Sequence, residues 1–181
     1  MIVLKSTVAI RKTVYAALFA ALTFVTSVVI HFHIPAAGAN GCVNFGDCVV
    51  IASGLLLGPV YGGFAAGIGS ALADALYGHI IYIPGTFVIK FFMALVACIV
   101  YRVLSKNKND YKIIPIAIAS LICEIIMVVG YLLYETALPG ISFAAALISL
   151  PIKAMQGIAG VVLSVLVLKV MKKTKLTDLI K

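Results

Sequence analysis

The sequence predicts an all-α membrane protein with six transmembrane helices and both termini in the cytoplasm. Three observations predict it. First, the 181 residues are 64% hydrophobic and 11% charged, where a soluble domain carries about 25% charged residues, and the mean hydropathy is +1.20. Second, the apolar residues fall into runs near the roughly 20 residues that cross a bilayer as a helix. Third, 12 of the 14 Lys and Arg gather in three places. Lys5, Arg11 and Lys12 lie at the N-terminus, Arg102, Lys106, Lys108 and Lys112 flank a central break, and Lys169, Lys172, Lys173, Lys175 and Lys181 lie at the C-terminus. The alternate connections, about residues 31–45, 78–84 and 135–142, contain no Lys or Arg. Basic segments stay on the cytoplasmic side, which orients the chain.

The first helix is expected over about residues 11–30. Its apolar stretch exceeds the roughly 7–15 residues of a signal core, so it is read as a span and not as a cleavable signal. A polar loop follows, with His31, His33, Pro35, Gly38, Asn40, Gly41 and Asn44. The second helix, about 46–57, stops at Gly58-Pro59, because proline lacks a donor and disfavours helix in the residue before it. The third, about 60–77, is rich in small residues from Gly62 to Ala73, which let membrane helices approach closely. The fourth runs over about 84–104, with Pro84 at its start, where the missing N–H costs little. After the polar break at 105–111 the fifth covers about 112–134, and after the Pro139-Gly140 turn the sixth covers about 143–171. Together they make one integral membrane domain, residues 1–181.

Several function classes are excluded. The net charge of +8 is the excess of a positive-inside membrane protein; no basic-aromatic surface supports nucleic-acid binding. Cys98 and Cys123 lie in apolar runs as core thiols. Cys42 and Cys48 lie near one membrane surface, with a disulfide between them left open, and with His31 and His33 they match no standard zinc spacing, so no metal site is assigned. No catalytic motif and no phosphate loop is present, so no enzyme activity and no cofactor is expected of this chain. The energy of any uphill transport must then come from a partner or an ion gradient.

Inside the apolar region stand Asp47, Asp74, Lys90, Glu124, Glu135 and Lys153. Ionisable groups in a bilayer are costly and mark sites or pair with one another. At about 1.5 Å of rise per residue, Asp47, Asp74, Lys90 and Lys153 fall in the outer half and Glu124 near the midplane. Asn44, Tyr131 and Gln156 fall in the same zone. A substrate pocket of Asn44, Lys90, Glu124, Tyr131, Lys153 and Gln156 is therefore expected, with Asp47 and Asp74 as pocket or structural charges. The bland alternatives are an ion-pair network that only fixes packing, Asp47 as a helix cap, an Asp74–Lys90 pair, and Tyr131 as an interface aromatic. On the first helix, Ala16 and Ala20, and Ala17 and Ala21, are spaced four apart and offer a flat face to another helix.

These features carry a resemblance. The segment "RKTVYAALFAAL", the stretch "GCVNFGDCVVIASGLLLGPVYGGFAAGIGSALADALYGHIIYIPGTFVIK", the six-helix topology and the small size make the chain similar to the substrate-binding S components of energy-coupling factor (ECF) vitamin transporters. The resemblance covers nearly the whole chain. It implies a multi-pass protein of a prokaryotic plasma membrane that captures a vitamin or precursor. It also implies partners: a transmembrane scaffold subunit and two cytoplasmic ATPases, which use the ATP. In the family the first-helix AxxxA face docks on the scaffold, here Ala16, Ala17, Ala20 and Ala21. The loop after the first helix and the outer parts of the fourth to sixth form the pocket. No riboflavin-specific or thiamine-specific pattern stands out, and the chain looks closest to the branch for pyridoxine-like, hydroxymethylpyrimidine-like or pantothenate-like substrates. The competing reading is a stand-alone proton-coupled secondary transporter of a small polar metabolite, with Asp74 or Glu124 as carrier.

The orientation has a direct check. A cysteine placed at Ala39 or Pro139 should react with an impermeant maleimide on intact cells, and one placed at Asn107 should not. Labelling at position 107 alone would invert the topology.

Overall fold

The computed structural model describes residues 2–36, 39–105, 112–139 and 141–173, with side chains described for these except 2–8 and 31–44. Six helices follow the expected order: α1 Ile2–Val29, α2 Gly46–Leu57, α3 Pro59–Leu76, α4 Ile83–Leu104, α5 Ile113–Ala137 and α6 Phe143–Lys173. A single 3-10 turn, Ile80–Tyr82, precedes α4. The expected loop after α1 is instead an antiparallel hairpin, β1 His31–Ala36 and β2 Ala39–Asn44, with His31 opposite Asn44 and Ala36 opposite Ala39. Pairing the two strands satisfies their backbone donors and acceptors locally. β2 packs against α6. The six helices make this an all-α membrane protein in which the hairpin is a minor addition.

Four stretches are long and apolar enough to cross a bilayer: Ala9–Val29, Ile80–Leu104, Ile113–Ala137 and Phe143–Lys173. At 12 and 18 residues, α2 and α3 are shorter. They fold back on each other at Gly58, whose φ of 91° is a left-handed conformation that favours glycine. Close approach at this turn depends on absent side chains. A Cβ at Gly62 would lie 2.5 Å from the Ser53 carbonyl oxygen, and one at Gly54 would run into the Ala94 carbonyl. Ser53 Oγ also donates to the Gly62 carbonyl at 3.0 Å. The α2–α3 pair thereby presses directly on the backbone of α4.

The core lies on α2 and the faces turned to it. Val50, Ile51, Met93, Ala97, Ile116, Ala119, Cys123, Met127 and Leu168 are each at most 1% exposed. Cys98, at 1%, is buried too, as expected of a core thiol. The outward faces are apolar as well, with Leu72, Phe92, Leu121, Ile125, Leu133 and Val162 about half exposed. In a soluble protein such a surface would drive association; here it is the lipid-facing belt. The largest shift from expectation is at α1, which begins at Ile2 and not near residue 11. The fifth helix, α5, continues to Ala137 and so carries Glu135 inside the helix.

Gly54→Ala should lower the unfolding midpoint of the detergent-solubilised protein, with a loss on the order of 1–3 kcal/mol, the usual cost of overpacking. Far-UV circular dichroism measures it, since the chain has no Trp. An unchanged midpoint would mean that α2 and α4 are not in backbone contact.

Candidate functional site

Removing a charge from water costs several kcal/mol, offset only by a well-placed partner and further hydrogen bonds. Both lysines of the membrane interior obey this. Lys90 of α4 is 3% exposed and pairs with Asp47 Oδ1. Asp47, in the first turn of α2, also accepts from Gln156 Nε2 of α6 at 2.5 Å. Lys153 of α6 donates to Glu135 Oε2 of α5 at 2.5 Å and to Ser149 Oγ, one turn earlier on α6, at 2.7 Å. Tyr82 reaches the other oxygen of Glu135 at 3.4 Å. Two ion pairs therefore knit α2, α4, α5 and α6 at one depth.

Tyr131 joins the two pairs. Its ring centroid lies 5.7 Å from Lys90 Nζ and 5.6 Å from Lys153 Nζ, within cation–π range of both. Its hydroxyl lies 2.9 Å from Thr86 Oγ1. Thr86 also lies beside Asp74, near the end of α3. Tyr131 is thus a central member of the cluster and not an aromatic of the membrane surface.

Glu124 stands apart. It is 4% exposed, and neither carboxylate oxygen has a hydrogen-bond partner among the described residues. Glycines on α6 admit it: a Cβ at Gly157 would lie 3.2 Å from Glu124 Cβ, and one at Gly160 would collide with Oε1 while lying 3.4 Å from Asp47 Cβ. Glu124 thus lies beside Asp47, across Gly160. It also lines a crevice of about 390 Å³ between α5 and α6, whose other walls include Leu121, Ile125, Val128 and Ile158. A buried carboxylate without a partner forfeits more than an ordinary hydrogen bond contributes. The arrangement leaves a buried acceptor beside Asp47 and at the wall of this crevice.

Two of the bland alternatives do not hold. Asp47 does not cap α2: Phe45 holds the cap position and no side-chain cap bond forms. Asp74 does not pair with Lys90, which turns to Asp47; Asp74 Oδ2 has no hydrogen-bond partner among the described residues. Lys90, Lys153 and Tyr131 lie together, Gln156 joins them through Asp47, and Glu124 adjoins Asp47, while the side chain of Asn44, in β2, lies outside the described residues. Glu135 was missed as a site residue, because the fifth helix was ended one residue before it. Its signal was chemical: Lys153 needed an anion at its own depth. Among the described residues no group of three or more His, Cys, Asp or Glu is placed to hold a metal ion. Cys48 is buried and free, and the side chain of Cys42 lies outside the described residues.

A family model described as "ECF-type riboflavin transporter, S component" matches residues 7–173. Among curated proteins, one of Pyrococcus woesei, described as an uncharacterized protein in the gap 3' region, is 36% identical over 107 residues, or 59% of this chain. The match spans 66% of that relative's length.

The pairs make a sharp stability prediction. Lys153→Met or Glu135→Gln alone should destabilise by about 3–5 kcal/mol, the usual result of stranding one buried charge. The double variant should recover most of that loss. Additive losses in circular-dichroism melts would show that the two side chains do not meet.

Proposed function

Because the chain belongs to the S-component family of ECF-type riboflavin transporters, we propose that it is the substrate-capturing membrane subunit of an ATP-driven importer in a prokaryotic plasma membrane. Its substrate is a water-soluble vitamin or precursor, and its role is binding, not catalysis. The observation that carries this reading is the set of buried Lys90, Lys153, Gln156 and Glu124, with half-buried Tyr131 among them, within one family-matched membrane domain. Such a cluster exceeds what packing requires, because Glu124 adds cost without a partner.

The pairing narrows the substrate. Lys90 and Lys153 each already hold a carboxylate, whereas Glu124 lacks a donor. A hydroxymethylpyrimidine-like or pyridoxine-like ring, which brings N–H or O–H donors, suits the site better than a pantothenate-like anion. Gln156 and the Tyr131 ring supply an amide and a stacking face. The hairpin packs on α6 through β2, and Asn44 ends β2 two residues before α2; both support a role for this hairpin beside the site.

The importer reading requires partners: a transmembrane scaffold and two cytoplasmic ATPases that use ATP. The outer face of α1 supports one such contact. Only 17% of its apolar span is buried, against 28–39% for the three other long spans. The two alanine pairs differ. Ala16 and Ala20 pack on the protein core, and the Ala20 carbonyl lies against Gly69 of α3, while Ala17 and Ala21 face outward. The docking face is therefore assigned to Ala17 and Ala21, with Ala16 and Ala20 holding α1 to α3.

Co-expression with candidate scaffold and ATPase subunits tests this. The tagged chain should retain all three partners, and Ala17→Phe/Ala21→Phe should reduce their recovery at least about tenfold, as expected for a blocked close-packed helix contact. The variant should keep its monodisperse elution profile. Substrate accumulation by the chain without ATPases would instead favour the stand-alone transporter.

A further inference from the structure

The basic residues also form a local feature at the end of the bundle opposite the ion pairs. The start of α5 and the end of α6 enclose a cleft of about 1000 Å³ lined by Lys112, Lys169, Lys172 and Lys173 together with Ile113, Ile114 and Pro115. The lysines are exposed. Lys169, Lys172 and Lys173 are spaced i, i+3 and i+4, so they share one face of α6, and Lys112 meets them from another helix.

The flank of the cleft is apolar. Ile113, Ile114, Leu166 and Val170 are 51%, 72%, 52% and 60% exposed and continue the lipid-facing belt. The 31 residues of α6 extend to roughly 46 Å at 1.5 Å per residue, more than the hydrocarbon core of about 30 Å. The last turns of α6 therefore reach headgroup level. Positive charge inside the cleft and apolar surface beside it match a molecule with an anionic phosphate head and acyl chains.

We propose that this α5–α6 cleft is a binding site for an anionic phospholipid. The headgroup phosphate lies among Lys112, Lys169, Lys172 and Lys173, and the chains run along Ile114 and Val170. Basic pockets between membrane helices on the cytoplasmic side attract such lipids, each Lys contributing on the order of 1 kcal/mol near the surface. The lipid bridges two helices whose other ends are tied by Lys153 and Glu135, so it clamps the α5–α6 pair at its second end.

Native mass spectrometry and thermal melts of the full chain in dodecylmaltoside test the site, with phosphatidylglycerol, phosphatidylcholine or sodium phosphate added at matched concentration. Phosphatidylglycerol should be retained and should raise the melting midpoint; the other two should do neither. In Lys112→Gln/Lys169→Gln/Lys173→Gln, retention should fall about tenfold or more, given the contribution of each Lys. The Lys112→Arg/Lys169→Arg/Lys173→Arg variant should keep it, which separates lost charge from misfolding. Arg11→Gln/Lys12→Gln/Arg102→Gln removes three basic groups elsewhere and should also keep it. Equal retention of phosphatidylcholine, equal stabilisation by phosphate alone, or an equal loss in the Arg11/Lys12/Arg102 variant would each overturn the proposal.

Discussion

Two lysines inside a membrane domain must each find an anion, and the packing of this bundle follows from where those anions stand. Lys90 takes Asp47 and Lys153 takes Glu135. These pairs fix α2 against α4 and α5 against α6, and Gln156 carries the first pair across to α6. In a medium where a stray charge costs several kcal/mol, the helices have little freedom to slide or rotate past one another. Tyr131, held between the two ammonium groups, links the pairs into one unit.

Small residues make that arrangement sterically possible. The α2–α3 turn approaches α4 through Gly54 and Gly62, and Glu124 fits only because α6 offers Gly157 and Gly160. The same glycines bring Glu124 beside Asp47, so a second carboxylate stands next to an already occupied ion pair. A structural network alone would gain nothing from it. A binding site does, because a ligand that donates a hydrogen bond to Glu124 recovers what the empty protein forgoes. On the proposed reading, packing and binding use one set of residues, with the ion pairs as the frame and Glu124 as the open acceptor.

Much of this was legible in the sequence, and the failures have physical reasons. The six helices were readable from run length and from Gly58-Pro59, and the depth of Lys90, Lys153 and Gln156 from helix rise alone. Partner choice was not. Asp47 and Asp74 fall at similar depth, and only the rotation of α2 and α3 about their axes decides which one faces Lys90. Glu135 fell just past an expected helix end and so drew no site role, although α5 holds it fully buried. The hairpin escaped notice because Pro35, Gly38 and Gly41 are turn-formers that read as loop. The two alanine pairs of α1 differ by one residue in register, and only the position of α3 reveals which pair is covered.

The central claim is that the cluster around Glu124 binds the transported molecule. Mass spectrometry can identify the small molecule that travels with the purified chain, and titration calorimetry can then measure its affinity for the parent, Glu124→Gln and Lys153→Met/Glu135→Gln proteins. Loss of one buried polar contact of about 1–3 kcal/mol predicts affinity lower by roughly 5–150-fold at about 1.4 kcal/mol per decade, with elution profiles unchanged. If both variants bind that molecule as tightly as the parent, the charges are a packing network and the ligand sits elsewhere.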